Sequence, residues 1–235
     1  MKIFSLIILI SILGLSFASD KSLPEEYNPE IKSENFISEI NNPYLNLTVG
    51  KKWIYEGTDE DENERIEIEV TNQEKFVMGI KMTVVRDRVW VDGELEEDTF
   101  DWFAQDKDGN VWYFGEWVDN YENGKIINHS GSWEAGVKGA KPGIIMKANP
   151  KVGDSYRQEF LSGEAEDMGE VLSLNQQIKT RVGNYTDCLQ VKDWSPLEPK
   201  VSEYKFYSKE VGNLVLERKV TGEEGYIELV QVVNP

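Results

Sequence analysis

Asp98, Asp101 and Glu116 fall among Trp102, Trp112 and Trp133, and a second acid cluster, Glu164, Glu166 and Asp167, follows downstream. An indole ring stacks on the apolar face of a sugar or another amphipathic ligand, while a carboxylate takes its hydroxyls or attracts a cation. The combination therefore reads as a ligand-binding surface. Of the seven tryptophans, five (Trp90, Trp102, Trp112, Trp117 and Trp133) belong to this stretch, with Phe100, Phe103, Tyr113, Phe114 and Tyr121 between them. Consecutive aromatics on a strand point to opposite faces, so the same rings also suit a core and cross-strand pairs.

Asp106, Asp108 and Asn110 carry the acid spacing of a calcium loop, because several hard oxygens meet across one tight turn. With Gly109 placed at the sixth position of such a loop, the first becomes Ala104 and the twelfth Gly115, so the principal ligands are missing. A hairpin turn explains the same letters. Calcium is nevertheless the one cofactor this chain suggests. Covalent and metal-assisted catalysis find little support: there is one histidine, His129, and one cysteine, Cys188. Gly153-Asp154-Ser155 has the opening letters of a serine-hydrolase block, yet His129 precedes it and no triad order can be built. Paired carboxylates for glycoside hydrolysis remain open among 43 acids.

The elements that must position these groups are strands. Arg65 to Val70 alternates apolar and charged residues without error, as a strand does with one face on a core and the other in water. Asp92-Gly93, Asp108-Gly109 and Asn123-Gly124 are two-residue hairpin signals, since both central residues of a type I′ turn need positive φ. Strands are expected over 52–57, 65–71, 76–91, 94–105, 110–118 and 125–130, and again over 155–160, 168–182, 188–194, 201–208, 214–220 and 226–233. Turns are expected at Gly183-Asn184, at Gly212-Asn213 and from Gly222 to Gly225. Residues 131–150 show neither helical nor strand periodicity and read as a long crossing loop. The fold class is all-β: a single antiparallel meander domain of roughly ten to twelve strands, forming a barrel, a curved half-barrel or a two-sheet sandwich.

Residues 1–18 read as a signal peptide, with Lys2, an apolar run and Ser16-Phe17-Ala18 at the cleavage site. Residues 19–42 form a polar leader or tether and residues 43–235 the β domain. The apolar run is shorter than a membrane span needs, so no transmembrane helix is expected after cleavage. The chain is placed as secreted or extracytoplasmic. A net charge of −18 disfavours nucleic acid and leaves a small molecule, a glycan or a cation as partner classes. A lone Cys188 forms no internal disulfide.

The blocks Asp98 to Asp106 and Gly109 to Glu116, with Gly131 to Val137, Pro142 to Met146, Val152 to Glu159 and Gly163 to Met168, resemble those of a group of exported prokaryotic proteins of unassigned function. The likeness spans most of residues 43–218, departing at Phe103, where tyrosine is common, and at Leu214. It implies no activity. It does imply that residues 98–116 and 131–168 share one site. The resulting expectation is an exported, non-enzymatic binding or interaction domain with an aromatic and acidic site. The alternatives are a carboxylate-dependent hydrolase of extracellular polymer and a calcium-stabilised structural module.

Overall fold

The computed structural model describes residues 27–37, 39–59, 61–221 and 225–235. The expected signal peptide, the first part of the leader and most of the Gly222 turn lie outside the described residues. Among them there is no α-helix, and every pairing is antiparallel. In chain order the strands are β1 (Phe36–Ile37), β2 (Asn41–Asn42), β3 (Leu45–Asn46), β4 (Lys52–Asp59), β5 (Glu62–Val70), β6 (Lys75–Val77) and β7 (Ile80–Val91). Then come β8 (Glu94–Asp106), β9 (Val111–Glu122), β10 (Lys125–Asn128), β11 (Trp133–Glu134), β12 (Lys141–Met146), β13 (Ser155–Arg157) and β14 (Glu159–Phe160). Four long strands finish the chain: β15 (Met168–Lys179), β16 (Asn184–Trp194), β17 (Ser202–Ser208) and β18 (Asn213–Thr221), with β19 (Gly225–Val233) after them.

Pairings run without a break from β9 through β8, β7, β5, β4, β19, β18, β17 and β16 to β15. The two outer strands of that series are brought together by one short segment. Ser155–Arg157 pairs with β15, while Glu159–Phe160 pairs with β12, which in turn pairs with β9. The sheet thus curls into a nearly closed barrel, one of the three forms the sequence allows. Curling removes the exposed edges that an open sheet of this width would present.

The alternation read in β5 holds. Ile66, Ile68 and Val70 are buried and face Val89, Asp87 and Val85 of β7, while Arg65, Glu67 and Glu69 lie outside. Trp53, Tyr55, Phe103, Tyr113, Leu189 and Leu229 fill the interior with them. Of the segment read as a leader, residues 27–37 and 39–42 are described and lie against the barrel: β1 pairs with the end of β8, Ile40 is buried, and Gln105 accepts from the backbone N–H groups of Asn41 and Asn42. The turn at Asp92-Gly93 and that at Asn123-Gly124 have positive φ at both residues, as type I′ requires. At Asp108-Gly109 only the glycine does. Asp106 and Asn110 close that loop, a three-residue hairpin with glycine in the left-handed position. Met78-Gly79, both at positive φ, splits the expected strand 76–91 into β6 and β7.

The expected crossing loop 131–150 is corrected most. It contains β11 and β12, and β12 is the strand that closes the barrel. Its residues show no alternation: Pro142, Gly143 and Met146 are buried, while Lys141, Ile144 and Ile145 are half-buried. Gly143 sits at the seam, where a Cβ would fall 2.4 Å from the Gln158 carbonyl carbon and 2.6 Å from the Arg157 oxygen. Only hydrogen fits against that backbone. Gly143→Val is expected to destabilise the barrel by roughly 2–3 kcal/mol, the range of overpacked cores, read as a fall in the urea midpoint. A variant as stable as the parent would place the seam elsewhere.

Candidate functional site

The sequence-predicted residues divide between the two faces of the sheet. On β8, Glu97, Thr99 and Asp101 turn inward and are completely buried, while Asp98 turns outward, where Arg86 grips it at 2.7 and 2.5 Å. On β9 the alternation is broken by a bulge. Asp101 stands opposite Glu116 but Phe103 stands opposite Tyr113, so β9 spends three residues where β8 spends two. Gly115 takes φ of +132°, and a Cβ there would lie 2.3 Å from the Trp133 oxygen. A bulge re-aims the residue that follows it. Glu116 therefore joins Tyr113 on the inside.

The resulting interior cluster is dense in acid. The Tyr113 hydroxyl donates to Asp101 at 2.9 Å, Phe103 stacks on Tyr113, and Trp133 meets the Tyr113 ring edge-on at 5.2 Å. Asp87 adds a carboxyl from β7, and Glu159 and Asp167, hydrogen-bonded to each other, add two from the seam. Burial first, and then the neighbouring acids, push the Asp87, Glu116 and Glu159 carboxyls far above the ordinary range. Asp101 is raised by burial and by Glu97 although the Tyr113 hydrogen bond works the other way. Asp167 is pushed up to about 7, mainly by burial. Beside this cluster lies a second, where Lys205 meets Asp193 at 3.0 Å, Glu217 at 3.7 Å and Glu203 at 3.9 Å. Burial opposes the Lys205 charge, and those three carboxyls outweigh it.

Of the expected site, then, Asp101, Glu116, Trp133 and Asp167 are brought together inside. Glu97, Asp87, Glu159, Lys205 and Glu217 stand with them, unforeseen, because single acids on alternating strands look like a solvated face. Asp101 is 0 % and Glu116 2 % exposed, so neither presents a surface to a ligand arriving from solvent. The remaining candidates stay apart. Trp102 lies under the Lys75 ammonium at 3.9 Å, Trp112 donates its ring N–H to Asp106, Glu164 is exposed, and Glu166 accepts from the Gly163 N–H. In the expected calcium loop, one Asp106 oxygen accepts from the Asn110 N–H and the other from the Asn110 amide and Trp112, while Asn110 Oδ1 accepts from Ala148. Those oxygens close the turn. Among the described residues no three His, Cys, Asp or Glu side chains converge as a metal would need. Cys188 is buried, and burial raises its thiol to about 11.

A solvent-open feature lies on the outer face instead, as a groove of about 870 Å³ across β7, β5, β4 and β19. Trp90 stands opposite Arg65, Arg65 opposite Glu56, and Glu56 opposite Glu228, one residue from each strand in a single row. Tyr226, 40 % exposed, lies two residues from Glu228 on the same face. Arg65 reaches Glu56 at 3.1 Å and Glu67 at 2.7 Å. Arg181, carried on the turn between β15 and β16, reaches over to Glu228 at 2.8 Å and Glu56 at 3.0 Å. The Arg88 guanidinium, held by Glu67, covers one side of Trp90. Glu64, beside Arg65 on β5, turns instead to the interior face with Ile66, where burial, then Glu217 and Asp59, raise it to about 10. Sequence reasoning missed this site because its residues meet through cross-strand register and through the turn that carries Arg181.

No protein-family model and no curated protein matches the chain. One solved structure is similar, described as "a putative lipoprotein from Parabacteroides distasonis ATCC 8503", with 15 % identity and a TM-score of 0.42, covering 81 % of this chain and 98 % of that one.

The interior acids set the pH dependence. A carboxyl with a raised folded value holds its proton in the barrel and loses it on unfolding, so its contribution is complete below about pH 4 and is lost as pH rises through the folded value. For Asp167 that window closes at about 7 and for Glu64 at about 10. Asp167 alone is expected to remove on the order of 4 kcal/mol between about pH 4 and 7. Urea midpoints should fall across that range, and Asp167→Asn, which keeps a neutral side chain, should flatten the slope. A midpoint that rises with pH would contradict a neutral interior.

Proposed function

We propose that this protein is an exported, non-enzymatic binding domain whose ligand face is the outer groove. The observation that carries this reading is the row Trp90, Arg65, Glu56 and Glu228, ordered by strand register and bordered by Tyr226, on an open groove whose volume lies within the range of small-ligand sites. The aromatic and acidic chemistry expected of residues 98–116 is supported here by other residues, since burial commits Asp101 and Glu116 to the interior. The groove's arginines, Arg65 and Arg181, are paired with Glu56, Glu67 and Glu228, and side chains so locked to one another suit recognition better than turnover.

The reading is tested by calorimetric titration of the full chain with a neutral oligosaccharide, spermidine, a fatty acid and calcium. At least one probe should bind, and Trp90→Ala and Tyr226→Ala should each weaken it about tenfold while circular dichroism stays unchanged. Binding that survives both substitutions, or no binding by any probe, would overturn the assignment of the groove.

A further inference from the structure

We infer that the groove takes a neutral oligosaccharide lying across the strands, from Trp90 on β7 to Tyr226 on β19; the inference rests on reading that groove as the ligand face. Length is the first argument. Trp90, Arg65, Glu56 and Glu228 occupy four adjacent strands, and three strand spacings make ~14 Å, with two further residues to Tyr226. A monosaccharide would reach only one of the two rings. A short chain of sugar units can place one ring face on Trp90 and another on Tyr226.

Charge is the second argument. Arg65 is shared between Glu56 and Glu67, and Arg181 between Glu56 and Glu228, so each guanidinium already serves two carboxylates. An anionic ligand would have to displace those carboxylates, and a cationic one those guanidinium groups. Fixed, alternating donors and acceptors instead match hydroxyl groups, each of which donates and accepts at once. The polar atoms are pre-oriented by their own ion pairs, which reduces the ordering cost of binding.

The experiment is calorimetric titration of the full chain with three series of equal length, from two to six units: neutral glucose oligosaccharides, oligogalacturonates, and deacetylated glucosamine oligosaccharides. The neutral series should bind at least tenfold better than either charged series, with affinity rising with length and levelling once both rings are covered. Trp90→Ala should remove the dependence on length. Preference for a charged series that Trp90→Ala still abolishes would overturn the neutral-sugar inference and leave the groove standing. Sugar binding unchanged by both Trp90→Ala and Tyr226→Ala would overturn the groove itself. Absence of binding in all three series, alongside another probe lost on Trp90→Ala, would overturn the saccharide class alone.

Discussion

The structure depends on keeping carboxyl groups neutral inside a closed sheet. An ionised carboxylate in a dry interior costs several kcal/mol even after relaxation, and Asp87, Asp101, Glu116 and Glu159 have no lysine, arginine or histidine within ion-pair distance among the described residues. Protonation removes that cost and turns each group into a donor as well as an acceptor. Acids can then satisfy acids, as Glu159 and Asp167 do across the seam. Lys205 supplies the cation where Asp193, Glu203 and Glu217 crowd together. The seam forms where the segment 155–160 joins β12 to β15, with the backbone of Arg157 and Gln158 lying close against Gly143.

From this follows the division between the faces. Since successive side chains alternate, a strand that sends Glu64 and Ile66 inward must send Arg65 and Glu67 outward. The outward residues are free to form ion pairs in water because the inward ones carry the core. Four consecutive strands repeat the arrangement, and their fixed register lines up Trp90, Arg65, Glu56 and Glu228 without any loop taking part. Sites built on paired strands hold their geometry more closely than sites on loops. Arg181 is the exception, brought in by a turn, and it is held there by both Glu228 and Glu56.

Much of the fold was legible in the sequence and little of the groove was. The period of two in Arg65 to Val70 and the turns at Asp92-Gly93 and Asn123-Gly124 carried direct local signals, and the strands followed. β12 was hidden because Pro142 and Gly143 read as breakers, although the glycine is there to let two backbones touch. Glu116 could be picked out as a functional-looking acid, but its inward turn rests on a bulge at Gly115 that alternation would deny. Glu97-Asp98-Thr99-Phe100-Asp101 has polar residues on both faces, so no periodicity says which acids go inside. Trp90, Arg65, Glu56 and Glu228 are far apart in the chain and strand pairing joins them, while a turn brings in Arg181.

Neutral interior acids also change what the composition means. The formal charge of −18 counts every carboxylate as ionised, yet Glu64, Asp87, Asp101, Glu116, Glu159 and Glu217 are all raised well above their ordinary values. Part of the acidity that dominates the sequence belongs to the core, so bulk charge alone does not choose the partner. Partner choice then falls to local arrangement. On the groove that arrangement is one of guanidinium groups and carboxylates already matched to each other, and a surface so matched discriminates by shape and hydroxyl pattern instead of by sign of charge.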